Sequence, residues 1–414
     1  MASQAGHILL ENGAEISRVE ETMERIASHF GVDSRNFFVL SNGIFTTGSS
    51  GKFEKTASSY ANVEFIPIRS IQLSKVSAVN SLSFDIAAGK CSLEEARARL
   101  NAIRSAPAKP AWEQILGSAF GSAGFCAVFG GGWTDCAAAF VAGLLLYSFI
   151  LGFSAKHLSK IVGGICNALI VTLLCIISYR IGFGSSLSNI IIGAIMPLIP
   201  GVPFVNGVRD LANSDYIAGI TRLTDAMLGF FCIAMGVSLA FMLDGAVFKG
   251  VIDLGGVLVN AGTSGIGWQA LAAFIGTAAF AVLFGADNGH IWIAGGIGAV
   301  GWTGYLLLVR LAAFTAPVAT LLAALLVCIL SRMAAVPMKC PATVFLLCGI
   351  FPLVPGAGIF WCTYYMVSGN LPLSLSSGFL AIKIAVAIVL GIVLAMELPQ
   401  RMFSHRRSAT APAR

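Results

Sequence analysis

Ten runs of mostly apolar residues follow one another from Trp112, near 112–131, 134–153, 161–179, 187–204, 223–243, 267–285, 291–309, 316–334, 342–366 and 376–397. About 20 such residues are what one helix needs to cross a bilayer. Few chains are so constrained: the runs predict an all-α, ten-span membrane protein. Composition agrees, since 57% of the 414 residues are apolar, 11% are charged and the mean hydropathy is +0.84, far from a soluble globular mix. The charge is uneven, with 12 of the 26 Lys and Arg residues in 1–110. That part reads as a small soluble domain ahead of the membrane part. The start, "MASQAGHILLENGAE", has neither a basic n-region nor a long apolar core, so a cleavable signal is not expected.

The links between runs carry the orientation signal. Lys156, Lys160, Arg209, Arg222, Arg332 and Lys339 fall on alternate links that share a side with residues 1–110, and Arg401, Arg406, Arg407 and Arg414 follow the last run. The opposite links carry Arg180, Lys249 and Arg310. By the positive-inside bias both termini are expected in the cytoplasm.

The runs repeat. "PLIPG" at 197–201 recurs as "PLVPG" at 352–356, an offset of 155 positions. The same offset relates "FCAVFG" (125–130) to "FAVLFG" (280–285), Gly143 to Gly298, and "GVSLAFML" (236–243) to "GIVLAMEL" (391–398). One offset without insertion over about 120 residues points to duplication. Each copy holds five spans, an odd number, so the second is expected to enter the membrane the other way up. Inverted repeats with matching broken helices mark secondary transporters, whose site lies near the midplane between the copies.

The repeated motif is itself such a break. Proline removes a backbone donor and clashes with the preceding turn, and unpaired backbone at membrane depth is tolerated only against protein or a watery cavity. Either motif alone is an ordinary proline kink. At matching positions in the fourth span of each copy, Pro197, Pro200 and Gly201 with Pro352, Pro355 and Gly356 become candidates for the substrate site.

Polar neighbours extend it. Asn206 can donate and accept hydrogen bonds toward a hydroxylated side chain. Asp210 and Arg222 can clamp the ammonium and carboxylate of an amino acid, Arg gripping the carboxylate with two bonds; an ion pair in a positive loop is the alternative. Asp135, after "FGGGWT", is a candidate proton-coupling carboxylate or a helix N-cap. Asp225 is a second coupling candidate or an interfacial charge. Lys383 binds an anion or snorkels to the interface.

In the soluble part, residues 8–30 place Ile16, Val19, Met23, Ile26 and Phe30 at helical spacing, predicting one amphipathic helix. "NFFVLSNGIFTTG" and "NVEFIPI" have strand character with a turn signal at Asn42-Gly43. Helices are expected at 71–88 and 92–104, the second capped by Ser92 with Glu95 three residues on. "SAPAKPAW" reads as a linker. No catalytic triad, phosphate loop or metal set appears in this α+β domain. Glu15, Arg18 and Glu20 read as a solvated, salt-bridged face. The ten cysteines lie singly in apolar segments with no C-x-x-C pair, which argues against a metal or disulfide framework; no cofactor and no nucleic-acid partner are expected.

"ENGAEISRVEETMERIASHFG", "SLEEARARLNAI", "FGGGWTD" and "PGVPFVNGVRDLANSDYIAGITR" together resemble the threonine/serine exporter family, the ThrE type. The resemblance covers nearly the whole chain, with units that bacteria also encode as separate partner proteins fused here. It implies export of L-threonine and L-serine across the bacterial inner membrane, driven by the proton-motive force; split relatives associated with succinate leave a dicarboxylate as the alternative. The second copy departs from the pattern, since "AGIFWCTYYMVSGN" lacks counterparts of Asn206, Arg209 and Asp210, so the halves should contribute unequally.

Other classes are weaker. "GTSG" at 262–265 with His290 superficially matches an intramembrane serine protease, but Ser264 lies in a glycine-rich link without an identifiable oxyanion donor. A passive channel, or a receptor sensing through residues 1–110, is separated from an exporter by dependence on the proton gradient. The expected organisation is a cytoplasmic α+β domain (1–110), a first five-helix repeat (111–245), a link (246–265), a second repeat (266–400) and a basic tail (401–414). Membrane lipid and a small-molecule substrate are its partners, and homo-oligomerisation stays open.

Overall fold

The computed structural model describes residues 1–32, 37–49, 59–66, 71–248 and 265–399. Most of the 246–265 link, with Lys249 and Ser264, and the tail 401–414 lie outside the described residues.

The N-terminal domain opens with two helices where one was expected: α1 (Ala2–Glu11) and α2 (Ile16–His29). Gly13 separates them with φ +82°, a left-handed backbone that glycine adopts without strain. Ala14 N–H then donates back to Leu9 O at 3.0 Å, closing the end of α1. Ile16, Val19, Met23 and Ile26 are buried as their spacing requires, whereas Phe30 lies past the helix end and is 39% exposed. A three-stranded antiparallel sheet follows, β1 (Phe37–Leu40), β2 (Gly43–Ser49) and β3 (Ser59–Phe65), in the order β1-β2-β3. Gly43 pairs with Leu40, so the hairpin turns at Ser41–Asn42, one residue earlier than the turn signal. Helices α3 (Leu73–Ala87) and α4 (Leu93–Ser105) complete the domain, and Ser92 Oγ accepts from Glu95 N–H at 3.2 Å.

The membrane part is helical throughout its described residues. In chain order it holds α5 (Ala111–Val128), α6 (Trp133–Phe149), which runs through a wide turn at Ile150–Ser154 into α7 (Ala155–His157), α8 (Lys160–Arg180), α9 (Leu187–Ile195), α10 (Gly201–Ala212), α11 (Tyr216–Phe248), α12 (Ile266–Leu283), α13 (Asn288–Arg310), α14 (Ala316–Met338), α15 (Thr343–Gly349), α16 (Gly356–Val367) and α17 (Leu371–Glu397). Among the described residues, 8 helices are long and apolar enough to cross a membrane, and the bent pair α9–α10 makes up to 9. α5 falls outside that set for a physical reason. It carries Glu113, Gln114, Ser118, Ser122 and three glycines, and most of it is buried in protein, so it has little need of an apolar surface.

What α5 packs against is α12, at backbone contact. A Cβ on Gly124 would lie 2.8 Å from Gly276 N and 3.0 Å from Ala272 O, and one on Gly117 would lie 3.1 Å from Ala279 O. Moved by 155 positions, Gly124 and Ala272 become Ala279 and Gly117, so the two contacts join residue pairs related by the offset. Phe125 and Phe280, also offset partners, face each other with ring centroids 4.9 Å apart. Close approach through small residues is how helices associate where lipid is as apolar as the protein.

Candidate functional site

Both Pro-x-x-Pro-Gly motifs interrupt a helix in nearly the same way. α9 ends in a single tight turn at Met196–Leu198 and α10 restarts at Gly201; α15 ends in a turn at Phe351–Leu353 and α16 restarts at Gly356. Pro200 (φ −78°, ψ 55°) and Pro355 (φ −76°, ψ 44°) share one conformation. After each, the glycine N–H bonds two residues back instead of four, to Ile199 O and to Val354 O, both at 2.8 Å. The first break bends the chain by 59°, whereas Thr343–Val367 still counts as one span. The breaks touch: Gly201 packs on Phe351, and Gly356 packs on Met196 and Ile199.

The N-terminal domain is docked on the first break by the residues between α1 and α2. Asn206, 2% exposed, donates through Nδ2 to Gly13 O at 2.7 Å. Arg222, 4% exposed, donates to Ala14 O at 2.8 Å and to Asp210 Oδ2 at 2.7 Å. Asp210, fully buried, also accepts from Ile16 N–H at 3.1 Å. Arg209 pairs with Glu15 at 2.5 Å and donates to Thr343 Oγ1 at 2.6 Å, reaching the second copy. Two acids and two guanidiniums therefore balance in one buried cluster, as buried charge requires. A second dock joins Leu73 N–H to Phe284 O and Ser74 N–H to Gly285 O, each at 2.9 Å. Glu15 is thus no part of a solvated face. Its sequence signal was the Gly13 interruption, which the helical periodicity of 16–30 masked. In the link between α10 and α11, partial burial raises the carboxyl of Asp215, with nearby Arg222 pulling it back.

Beside the first break lies a cavity of about 680 Å³, lined by Pro197, Pro200, Asn206, Arg222 and Asp225 together with Gly13, Lys160 and Asn167. Asp225 pairs with Lys160 there. Five of the expected site residues thus line one cavity, with Asp210 behind Arg222. Gly201, Pro352, Pro355 and Gly356 lie outside the lining. Asp135 stands apart. It accepts from Gly132 N–H at 2.9 Å, Ser185 N–H at 2.6 Å and Ser186 N–H at 2.9 Å, tying the start of α6 to the turn before α9. Lys383 is exposed on α17. A second cavity, about 970 Å³, separates the domain from α14 and is lined by Arg18, Asp85, Lys90, Arg209, Arg332 and Lys339.

A small domain docked onto a bundle of apolar helices, with a cavity opening beside a broken one, defines a multi-pass membrane protein. Residues 1–244 match the family model described as "Putative threonine/serine exporter" and residues 269–397 match that described as "Threonine/Serine exporter, ThrE". The chain belongs to the threonine/serine exporter (ThrE) family, and it is a transporter and not an enzyme. It is 24% identical over 408 residues to "Threonine/serine exporter" of Corynebacterium glutamicum, covering 97% of this chain and 82% of that one. To "Probable threonine/serine exporter" of Mycobacterium tuberculosis it is 25% identical, covering 80% of this chain and 64% of that one. To "Probable succinate transporter subunit YjjP" of Klebsiella aerogenes it is 25% identical over 245 residues, covering 58% of this chain and 92% of that one. No solved structure matches.

Proposed function

We propose that the chain is a secondary exporter of small hydroxylated amino acids, L-threonine and L-serine first, from the bacterial cytoplasm, and that substrate binds in the cavity beside the first break. The observation that carries this is that cavity: about 680 Å³, bounded by a non-helical turn and by Asn206, Arg222 and Asp225. The names borne by the Corynebacterium and Mycobacterium relatives support the substrate class. On this reading α5 and the α9–α10 pair complete a set of ten spans, two inverted five-helix copies whose shared axis passes between Phe125 and Phe280. The contacts that recur at the 155-residue offset support that arrangement.

Both termini face the cytoplasm in this reading. Lys160 lines one cavity with Gly13, and Arg332 and Lys339 line the other with Asp85, so the basic links share the end that carries the N-terminal domain. Arg180 pairs with Asp244 at 2.7 Å, on the opposite links. Export is coupled to protons, Asp225 and Asp135 being the carboxylates put forward for this; one charge crossing about 100 mV supplies about 2.3 kcal/mol, which sustains about a fiftyfold gradient. The dicarboxylate alternative has its own support in the cation-rich second cavity and in the YjjP relative. Counterflow in liposomes decides between them. Preloaded threonine or serine should drive uptake of labelled threonine, and succinate should not; uptake driven by succinate alone would transfer the function to dicarboxylates.

A further inference from the structure

We infer that Asn167 and Asn206 form an ammonium-binding pair inside the first-break cavity, and that this pair makes the site select amino acids over dicarboxylates. The inference rests on the reading of that cavity as the substrate site and adds to it a residue, Asn167, and a basis for selection.

Most of the other polar side chains of the lining have partners. Arg222 is held by Asp210 and the Ala14 carbonyl. Asp225 is paired with Lys160, and Ser159 Oγ accepts from Val162 N–H at 3.4 Å. Two buried carbonyl oxygens of the lining retain unused capacity. The carbonyl oxygens of Asn167, on α8, and of Asn206, on α10, are both buried with no hydrogen-bond partner among the described residues, and both residues line the cavity. A buried acceptor without a donor costs free energy until a ligand supplies one. Asn206 cannot exchange its amide ends, because Nδ2 is spent on Gly13 O at 2.7 Å; what it offers is an acceptor.

A pair of acceptors fits a group that is all donor. A primary ammonium has three N–H bonds and a positive charge, and hydrogen bonds in which one partner is charged are the stronger kind. A dicarboxylate would meet the Asn206 oxygen, which cannot turn away, with its own lone pairs. The pair also belongs to one copy alone. At the 155-residue offset Asn167 becomes Leu322 and Asn206 becomes Trp361. A polar residue in a spanning helix is expensive and points inward to a function, and here duplication has kept it on one side only.

The test uses the full chain in liposomes and varies Asn167, which holds no inter-domain bond. Asn167→Leu installs the residue found at the matching position of the second copy; Asn167→Asp keeps an acceptor in place. Threonine counterflow gives KM, and inhibition is compared between threonine and its analogue with hydroxyl replacing ammonium. Size-exclusion elution and membrane abundance control for folding. The expected result is a KM raised at least tenfold in Asn167→Leu, near-normal KM in Asn167→Asp, and wild-type discrimination against the analogue that Asn167→Leu loses. Unchanged KM and discrimination in a well-folded Asn167→Leu would overturn the pair while leaving the cavity as the site. Wild-type counterflow with succinate and none with threonine would overturn both.

Discussion

Gly201 lies against the ring of Phe351, close enough that a Cβ on the glycine would sit 2.6 Å from Phe351 Cζ. The matching glycine, Gly356, lies against the tip of Ile199 and against Met196, the offset counterpart of Phe351, whose Sδ would be 3.2 Å from a Cβ on Gly356. Each break is therefore seated on the other, but by a rigid ring on one side and by flexible side chains on the other. Gly201→Ala should destabilise the protein by about 1–3 kcal/mol, the usual cost of overpacking a close-packed site. Gly356→Ala should cost less, because Met196 and Ile199 can move. Thermal unfolding of the two variants in detergent checks this; equal shifts would contradict the asymmetry.

The buried charge cluster sets a second expectation. Removing one partner of Arg222–Asp210 leaves the other buried and uncompensated, at about 3–5 kcal/mol. Arg222→Ala should loosen the N-terminal domain from the first break and raise its susceptibility to limited proteolysis. Replacing both residues by leucine should be markedly milder than the single change. A double variant as sensitive as Arg222→Ala would show that the pair does not act as a unit.

The membrane runs were legible because length and apolarity are local properties, and because a duplicated Pro-x-x-Pro-Gly is conspicuous in an apolar setting. α5 was legible as a run but not as a helix buried against α12, since its serines and glycines acquire meaning only beside Gly276. The docking loop was hidden. Ile16, Val19, Met23 and Ile26 keep helical spacing whether or not the helix begins at residue 8, and nothing in 12–15 states that Gly13 O and Ala14 O will meet Asn206 and Arg222. Glu15 and Arg209 lie 194 positions apart, so their pairing follows from the docking of two domains and not from any local pattern. Asn167 escaped notice for a similar reason: one amide in a span has no significance until a cavity adjoins it.

The two coupling candidates are separable by their surroundings. Asp135 serves three backbone donors, so Asp135→Asn should lower stability by about 1–3 kcal/mol and leave the pH profile of export in place. Asp225 faces the cavity and pairs with Lys160, so Asp225→Asn should flatten that profile. Export rate against pH in both variants decides, and the reverse pattern would assign coupling to Asp135.

Coupling as such has its own check. A protonophore should abolish concentrative export of threonine from dipeptide-loaded cells. Undiminished export under that treatment would favour a passive channel.

The role of the break is measured most directly by the initial export rate, normalised to membrane abundance, of two double variants: Pro200→Ala with Gly201→Ala, and Pro355→Ala with Gly356→Ala. Alanine is the best helix former, so each pair of changes lets its helix run on, the first closing the turn that bounds the cavity, while the segments stay as apolar as before and should still insert. The expected result is a fall of more than tenfold for the first pair and a smaller one for the second, which lies outside the cavity wall. Near-normal rates in both would reduce the motifs to ordinary kinks and contradict a substrate site beside the first break.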